Sequence, residues 1–188
     1  LKNVFEANAG VKISKKKNLW MDAGIFSSHI GFESAISKDC WVLTRSILAE
    51  NSPYFESGAK ITYTSKNEKW LVSCLILNGW QRIKKVDDNS ALSYGTQLQY
   101  KPNSKLLINY STFIGTDKPD SSRKWRYFHN LYGIFNVTGK FGIIAGLDFG
   151  AEQKTKGSNE LNIWYTPVII LKYALNSKFS LTARCEHY

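Results

Sequence analysis

Leu92-Ser93-Tyr94-Gly95-Thr96-Gln97-Leu98-Gln99-Tyr100-Lys101 and, after the turn Pro102-Asn103-Ser104, the run Leu106 to Gly115 decide the fold. Leu92, Tyr94, Thr96, Leu98 and Tyr100 fall on one side of an extended chain; Ser93, Gly95, Gln97, Gln99 and Lys101 fall on the other. Leu106, Ile108, Tyr110, Thr112 and Ile114 repeat the apolar side, opposite Asn109, Ser111 and Gly115. A period of two is the strand period, and two such runs across a tight turn make an antiparallel hairpin.

The same alternation extends outward in both directions. Ala7 to Ser14, Leu19 to Phe26, Gly58 to Tyr63 and Trp70 to Trp80 read as strands before the pair; Trp125 to Val137, Phe141 to Glu152, Ile163 to Tyr173 and Phe179 to Glu186 follow it. That predicts about ten strands of roughly ten residues, the length that crosses hydrocarbon when tilted. Short turns centre on Lys16, Asn67, Asn103, Gly139 and Ser177, and longer loops separate them. Sorting of connections by length is a habit of barrels that span a membrane, with tight turns at one end and long loops at the other.

The two sides differ in chemistry. One carries Leu, Ile, Ala, Tyr and Phe almost without charge. The other carries Gly, Ser, Thr, Asn and Gln with scattered charges. A small soluble barrel puts its apolar side inward, whereas a membrane barrel puts it outward around a watery lumen. The reading is an all-β, antiparallel, up-and-down transmembrane β-barrel, residues 1–188 being one domain. The direction of the Leu106, Ile108 and Tyr110 side separates it from a soluble ligand-binding β-barrel. Tyr63, Trp70, Trp80, Tyr94, Tyr100, Trp125, Tyr165 and Tyr173 lie near strand ends, where headgroup-level aromatics are expected.

Residues 29–53 interrupt the meander. Trp41, Val42, Leu43, Ile47 and Leu48 make this loop too apolar to hang free, so it is expected either to fold into the barrel mouth and narrow the pore or to pack on the rim. Ile36, Cys40, Leu43 and Ile47 recur at helical spacing and suggest a short helix. Arg45 would then be a constriction charge, or the partner of Glu33 or Glu50 in a local ion pair. Lys12, Lys60, Lys101, Lys172 and Arg184 share the polar side with Asp22, Asp148, Glu152 and Glu186, and would line a lumen with a mild preference for anions.

The formal charge is +10, with lysines scattered rather than striped, which argues against nucleic acid as a partner. Cys40, Cys74 and Cys185 fit neither a disulfide framework nor a zinc motif. No run approaches the ~18 apolar residues of a membrane helix. Leu1 to Phe5 reads as the middle of a chain, without a signal peptide. His29, His129 and His187 read as structural or solvated. His129 beside Ser121 and Ser122 is the one hint of a barrel enzyme of the phospholipase type. Asp87-Asp88-Asn89 and Asp117 to Asp120 lack calcium-ligand spacing. Neither a metal nor a cofactor is expected.

Asp22-Ala23-Gly24-Ile25-Phe26, leading to Gly31-Phe32-Glu33, resembles the OmpL-like β-barrel porins, in which an A-G-x-F strand leads into G-[YF]-E. Leu43-Thr44-Arg45-Ser46-Ile47-Leu48 is similar to their S-R-S-L-L segment, with Thr44 where Ser is usual. Pro53-Tyr54, Gly58 and Tyr63 resemble the opening of their next strand, and Asn78-Gly79-Trp80 its N-G-W counterpart. The resemblance implies a passive pore in the outer membrane of a Gram-negative bacterium, in contact with lipid and lipopolysaccharide, passing small hydrophilic solutes. It implies Glu33 and Arg45 near the pore, and is compatible with a homo-oligomer. Ser180, Thr182, Arg184 and Glu186 alternate before Tyr188, where such barrels end on apolar residues. The chain is therefore expected to be a length of a longer barrel, incomplete at both ends.

Overall fold

A computed structural model describes residues 6–188; the opening Leu1 to Phe5, and the reading made of it, lie outside the described residues. Ten strands follow one another: β1 (Ala7–Lys12), β2 (Asn18–Ser27), β3 (Phe55–Thr64), β4 (Trp70–Leu77), β5 (Ser93–Asn103), β6 (Leu106–Gly115), β7 (Arg126–Asn136), β8 (Phe141–Gln153), β9 (Leu161–Ala174) and β10 (Ser180–Glu186). Each pairs antiparallel with the next, in chain order, in one sheet. The edges β1 and β10 do not pair with each other among the described residues.

The short connections are written in side chains that capture backbone N–H groups. Ser14 Oγ accepts from Lys16 and Lys17, and Asn67 Oδ1 accepts from Lys69. Asn103 Oδ1 accepts from Lys105 and Leu106, Thr138 Oγ1 from Lys140 and Phe141, and Asn176 Oδ1 from Lys178 and Phe179. All five turns sit at one end of the sheet. Residues 28–54, 78–92, 116–125 and 154–160 form the long loops at the other.

Strand β6 decides the direction of the faces. Ile108 and Tyr110 are 38% and 39% exposed, while Asn109 and Ser111, which alternate with them, are each 0% exposed. The register carries this parity across the sheet. Leu98, Leu131, Leu147 and Ile169 point outward, and Ser73, Asn130, Asp148 and Thr166 point inward. The apolar side thus faces outward, opposite to what a soluble barrel requires. Outward-facing aromatics mark both ends: Tyr63, Trp70, Tyr100 and Tyr173 toward the short turns, and Tyr94 and Tyr127 toward the long loops.

Trp80 departs from this belt. Strand β4 stops at Leu77 because Asn78 turns to donate its Nδ2 to Ile83 O (2.7 Å), and Gly79 adopts φ +147°. Trp80 is thereby swung inward, edge to face with Phe113 and Phe128 at 4.9 and 4.8 Å. The helix suggested over Ile36 to Ile47 is also replaced. A 3₁₀ turn spans Ser37–Asp39, and a one-turn helix α1 spans Ile47–Glu50 with Ser46 as its N-cap. Between them the chain runs through a series of bends, and the Arg45 guanidinium donates to Ser34 O.

An outward face solvated by lipid predicts an asymmetric response to charge. Leu131→Arg, at the middle of β7, is expected to cost about 2–4 kcal/mol in lipid vesicles. The same change at an exposed position of a water-soluble sheet would fall within about 0.5 kcal/mol. Urea unfolding of the protein in vesicles measures the difference.

Candidate functional site

The inner face of the sheet and the loop 28–54 that lies on it form the candidate site. Its first anchor is His29, two residues beyond the end of β2. His29 Nε2 is 2.9 Å from Thr112 O, which can only accept, so this nitrogen carries a hydrogen. Nδ1 is 2.7 Å from Glu56 Oε2 on β3. With Nε2 donating to Thr112 O, Nδ1 faces the Glu56 carboxyl, so the ring forms an ion pair with it when protonated. Ser111 Oγ donates to His29 O at 2.6 Å and Gln97 Nε2 at 3.3 Å. Gly31 N donates to Asn130 Oδ1 at 3.0 Å. The ring lies where a side chain at position 95 would stand: a Cβ on Gly95 would come within 2.7 Å of it. This limb of the loop is thus held to β3, β5, β6 and β7 by polar contacts.

The second anchor is apolar. Leu48 of α1 is buried with Ile144, Val168 and Ile170, and Phe32, Trp41, Val42 and Ile134 pack against that cluster. Ile47 N, one of the orphan donors at the start of α1, gives its hydrogen to Glu186 Oε2 of β10 at 2.8 Å. Arg184 of β10 reaches Thr44 O at 2.7 Å and Glu186 Oε1 at 2.9 Å.

The structure brings the expected charges to this region unevenly. Asp22, Lys60, Asp148, Glu152, Lys172 and Arg184 share the inward parity, as does Lys12 opposite Trp20 and Lys101 near the short-turn end. Lys60 Nζ sits 4.6 Å from the Phe26 ring centre and Lys172 Nζ 5.5 Å from that of Trp41. Asp148 Oδ1 accepts from Asn130 Nδ2 at 2.6 Å, and its Oδ2 is buried with no protein partner among the described residues. Glu152 pairs with Arg126 at 2.9 Å. Glu33 Oε2 accepts from Ser46 N at 2.9 Å and from its hydroxyl, fixing the N-cap of α1. Arg45 makes no ion pair with Glu33 or Glu50 among the described residues. Its Nε donates to Ser34 O at 2.6 Å and its Nη2 to Ser37 Oγ at 3.3 Å.

Sequence reasoning passed over Glu56, Arg126, Asn130 and Trp164. Glu56 has the parity of Gly58, Lys60 and Thr62, which could have marked it as inward. The weak alternation of Trp125 to Val137 hid Arg126 and Asn130. His129 faces outward, where Tyr110 Oη meets its Nδ1 at 2.6 Å. The two acidic stretches tie loops together, Asn89 Nδ2 of the first donating to Thr116 O beside the second at 2.9 Å. Asp117 Oδ1 accepts from Trp80 N, and Asp120 Oδ1 from Ser90 N, each at 3.0 Å. The Arg123 guanidinium and Ser90 hold the Asp120 carboxyl well below the usual carboxylate range.

An outward apolar face, an inward polar face, aromatic rims and length-sorted loops define a transmembrane β-barrel of the outer-membrane porin class. The chain belongs to the family described as "Putative beta-barrel porin-2, OmpL-like", whose model matches residues 1–188. Among solved structures it is similar to the outer membrane channel DcaP of Acinetobacter baumannii, with a TM-score of 0.56 and 10% identity. The likeness covers 95% of this chain and 54% of that one, so the chain spans about half the length of the channel, and it concerns the fold. No curated protein matches the chain.

The His29 anchor has a defined pH dependence. Burial lowers the imidazole's proton affinity, but the Glu56 carboxylate and the Thr112 carbonyl outweigh it and raise the pKa above 6.5. Stabilisation from a raised group is complete below the unfolded value, near 6.5, and is lost as pH rises through the folded value. Protection factors of amides 28–34 in hydrogen exchange should therefore be high at pH 6 and fall in the alkaline direction. Glu56→Gln should remove that dependence. Protection that is flat with pH in the unaltered protein would contradict it.

Proposed function

We propose that the protein is a passive pore of the outer membrane of a Gram-negative bacterium, admitting small hydrophilic solutes and catalysing no reaction. The single observation that carries this reading is the parity of β6, with Ile108 and Tyr110 outward and Asn109 and Ser111 inward. An apolar exterior suits lipid and the acyl chains of lipopolysaccharide, and a hydrogen-bonding interior suits water and polar solutes. Closure around a lumen requires strand partners for the edges β1 and β10, since lipid offers none. A homo-oligomer is consistent with so broad an apolar exterior.

The loop 28–54 narrows the lumen in this reading. Arg45 lends it a positive charge, since its bonds to Ser34 and Ser37 neutralise nothing. Glu33 positions that segment through Ser46. Lys12, Lys60, Lys101, Lys172 and Arg184, set against Asp22, Asp148, Glu152 and Glu186, of which Glu186 pairs with Arg184, give the wall a modest preference for anions. An enzymatic reading would rest on His129, which is engaged by Tyr110 rather than by a serine.

The protein, purified from outer membranes and placed in a planar lipid bilayer, should show stepwise conductance. Arg45→Glu should move its reversal potential in a salt gradient toward cation preference. Insertion without conductance would refute the pore, and an unchanged reversal potential would remove Arg45 from the constriction.

A further inference from the structure

At the long-loop end of the inner face lies a cavity of about 410 Å³, within the ~300–1,000 Å³ range of small-molecule sites. Glu50 and Asn51 from the end of α1, Gln81 after β4, Arg126 of β7, Glu152 of β8 and Trp164 of β9 line it.

One wall is an indole face. A Cβ on Gly150 would lie 2.1 Å from both Cε2 and Cζ2 of Trp164, so the indole is laid across the bare backbone of β8. Strand β8 covers one side of the ring, Phe128 lies 6.5 Å away centre to centre, and the indole lines the cavity. An indole face carries a partial negative charge and attracts the weakly positive C–H groups of an apolar or semi-polar ring.

The other walls are polar groups locked by their own bonds. Gln81 Oε1 accepts from Tyr54 N at 2.7 Å, which leaves the Gln81 amide N–H groups to donate. Asn51 Nδ2 donates to Ile47 O at 2.8 Å, which leaves Asn51 Oδ1 to accept. Glu152 Oε1 takes Arg126 Nε and Nη2 at 3.2 and 2.9 Å, leaving Glu152 Oε2 to accept and Arg126 Nη1 to donate. Glu50 Oε1 is held by Tyr54 Oη at 3.0 Å. Donors and acceptors are thus both on offer, and little side-chain freedom remains to be lost on binding.

Charge narrows the ligand. Two carboxylates against one guanidinium disfavour an anion; Glu152 is paired with Arg126, and the exposed Glu50 carboxylate is screened by water, which leaves a cation little to gain. A neutral molecule in which every hydroxyl both donates and accepts, with a flat face of C–H groups, satisfies all the walls. We propose that this cavity is a saccharide-binding subsite, with a pyranose ring stacked on Trp164 and its hydroxyls shared among Gln81, Asn51, Arg126 and Glu152. The subsite deepens the pore reading and rests on it only for the solute's route.

Maltose is the probe, and disodium succinate is the anionic comparison. Intrinsic fluorescence of the detergent-purified protein should change saturably with maltose and not with succinate. Trp164→Ala should weaken maltose binding at least tenfold, while Trp164→Phe should retain most of it. Gln81→Ala, in an exposed loop, should weaken it about fivefold, the worth of one hydrogen bond, and checks the site independently of any effect of Trp164 on folding. In planar bilayers maltose should interrupt the current reversibly. A conducting protein that does not respond to maltose, or a response unchanged by Trp164→Ala and Gln81→Ala, overturns the subsite and leaves the pore. A maltose response that those substitutions abolish, in a protein that does not conduct, removes the pore and keeps the subsite.

Discussion

Hydrocarbon offers no hydrogen-bond partner to a peptide group, and most of this structure follows from that constraint. Each strand must pair with its neighbours along its length, and β2 through β9 do so on both sides. The meander meets the requirement with the least chain, because consecutive antiparallel strands need only tight turns at one end. Those turns are closed by Ser14, Asn67, Asn103, Thr138 and Asn176, residues that fold back on their own backbone. Once the ladder is fixed, a period of two divides each strand between lipid and interior, and a slip of one residue would invert every side chain.

The interior then offers polar walls broken by apolar patches, and residues 28–34 use both. Ile30 is buried among Phe26, Leu75, Leu77, Phe113 and Phe128. His29, through both ring nitrogens and its carbonyl, and Gly31, through its amide, are held by groups from β3, β5, β6 and β7. Residues 41–48 find a different surface, where Ile144, Val168 and Ile170 interrupt the polar parity of β8 and β9. The loop therefore has two feet that each join an apolar anchor to polar bonds, and the titratable pair His29–Glu56 belongs to the first.

The strand count, the five turns and the alternation of faces were legible because each is a local pattern, as in Leu106 to Gly115, whereas which face points outward is a property of the whole sheet. The inner charges were legible as parity but not as pairs. Nothing in the spacing of His29 and Glu56 announces that they meet, since a loop of unpredictable path brings the ring back over β5 and β6. Trp80 misled for a related reason. An aromatic at a strand end reads as a headgroup anchor, and only the φ +147° of Gly79 turns it inward onto Phe113. The helix suggested by Ile36, Cys40, Leu43 and Ile47 failed because those residues answer to two surfaces. Leu43 stays 87% exposed, while Trp41 and Val42 pack against the Leu48 cluster.

The central claim is that the apolar parity faces lipid and the polar parity faces the interior. A nitroxide scan along residues 106–115, in a background freed of Cys40, Cys74 and Cys185 and reconstituted in vesicles, tests it most directly. Positions 108, 110, 112 and 114 should collide readily with molecular oxygen dissolved in lipid. Positions 107, 109, 111 and 113 should be shielded from it. Even-numbered positions accessible to a water-soluble nickel chelate, with odd-numbered positions buried in a dry apolar core, would contradict the account.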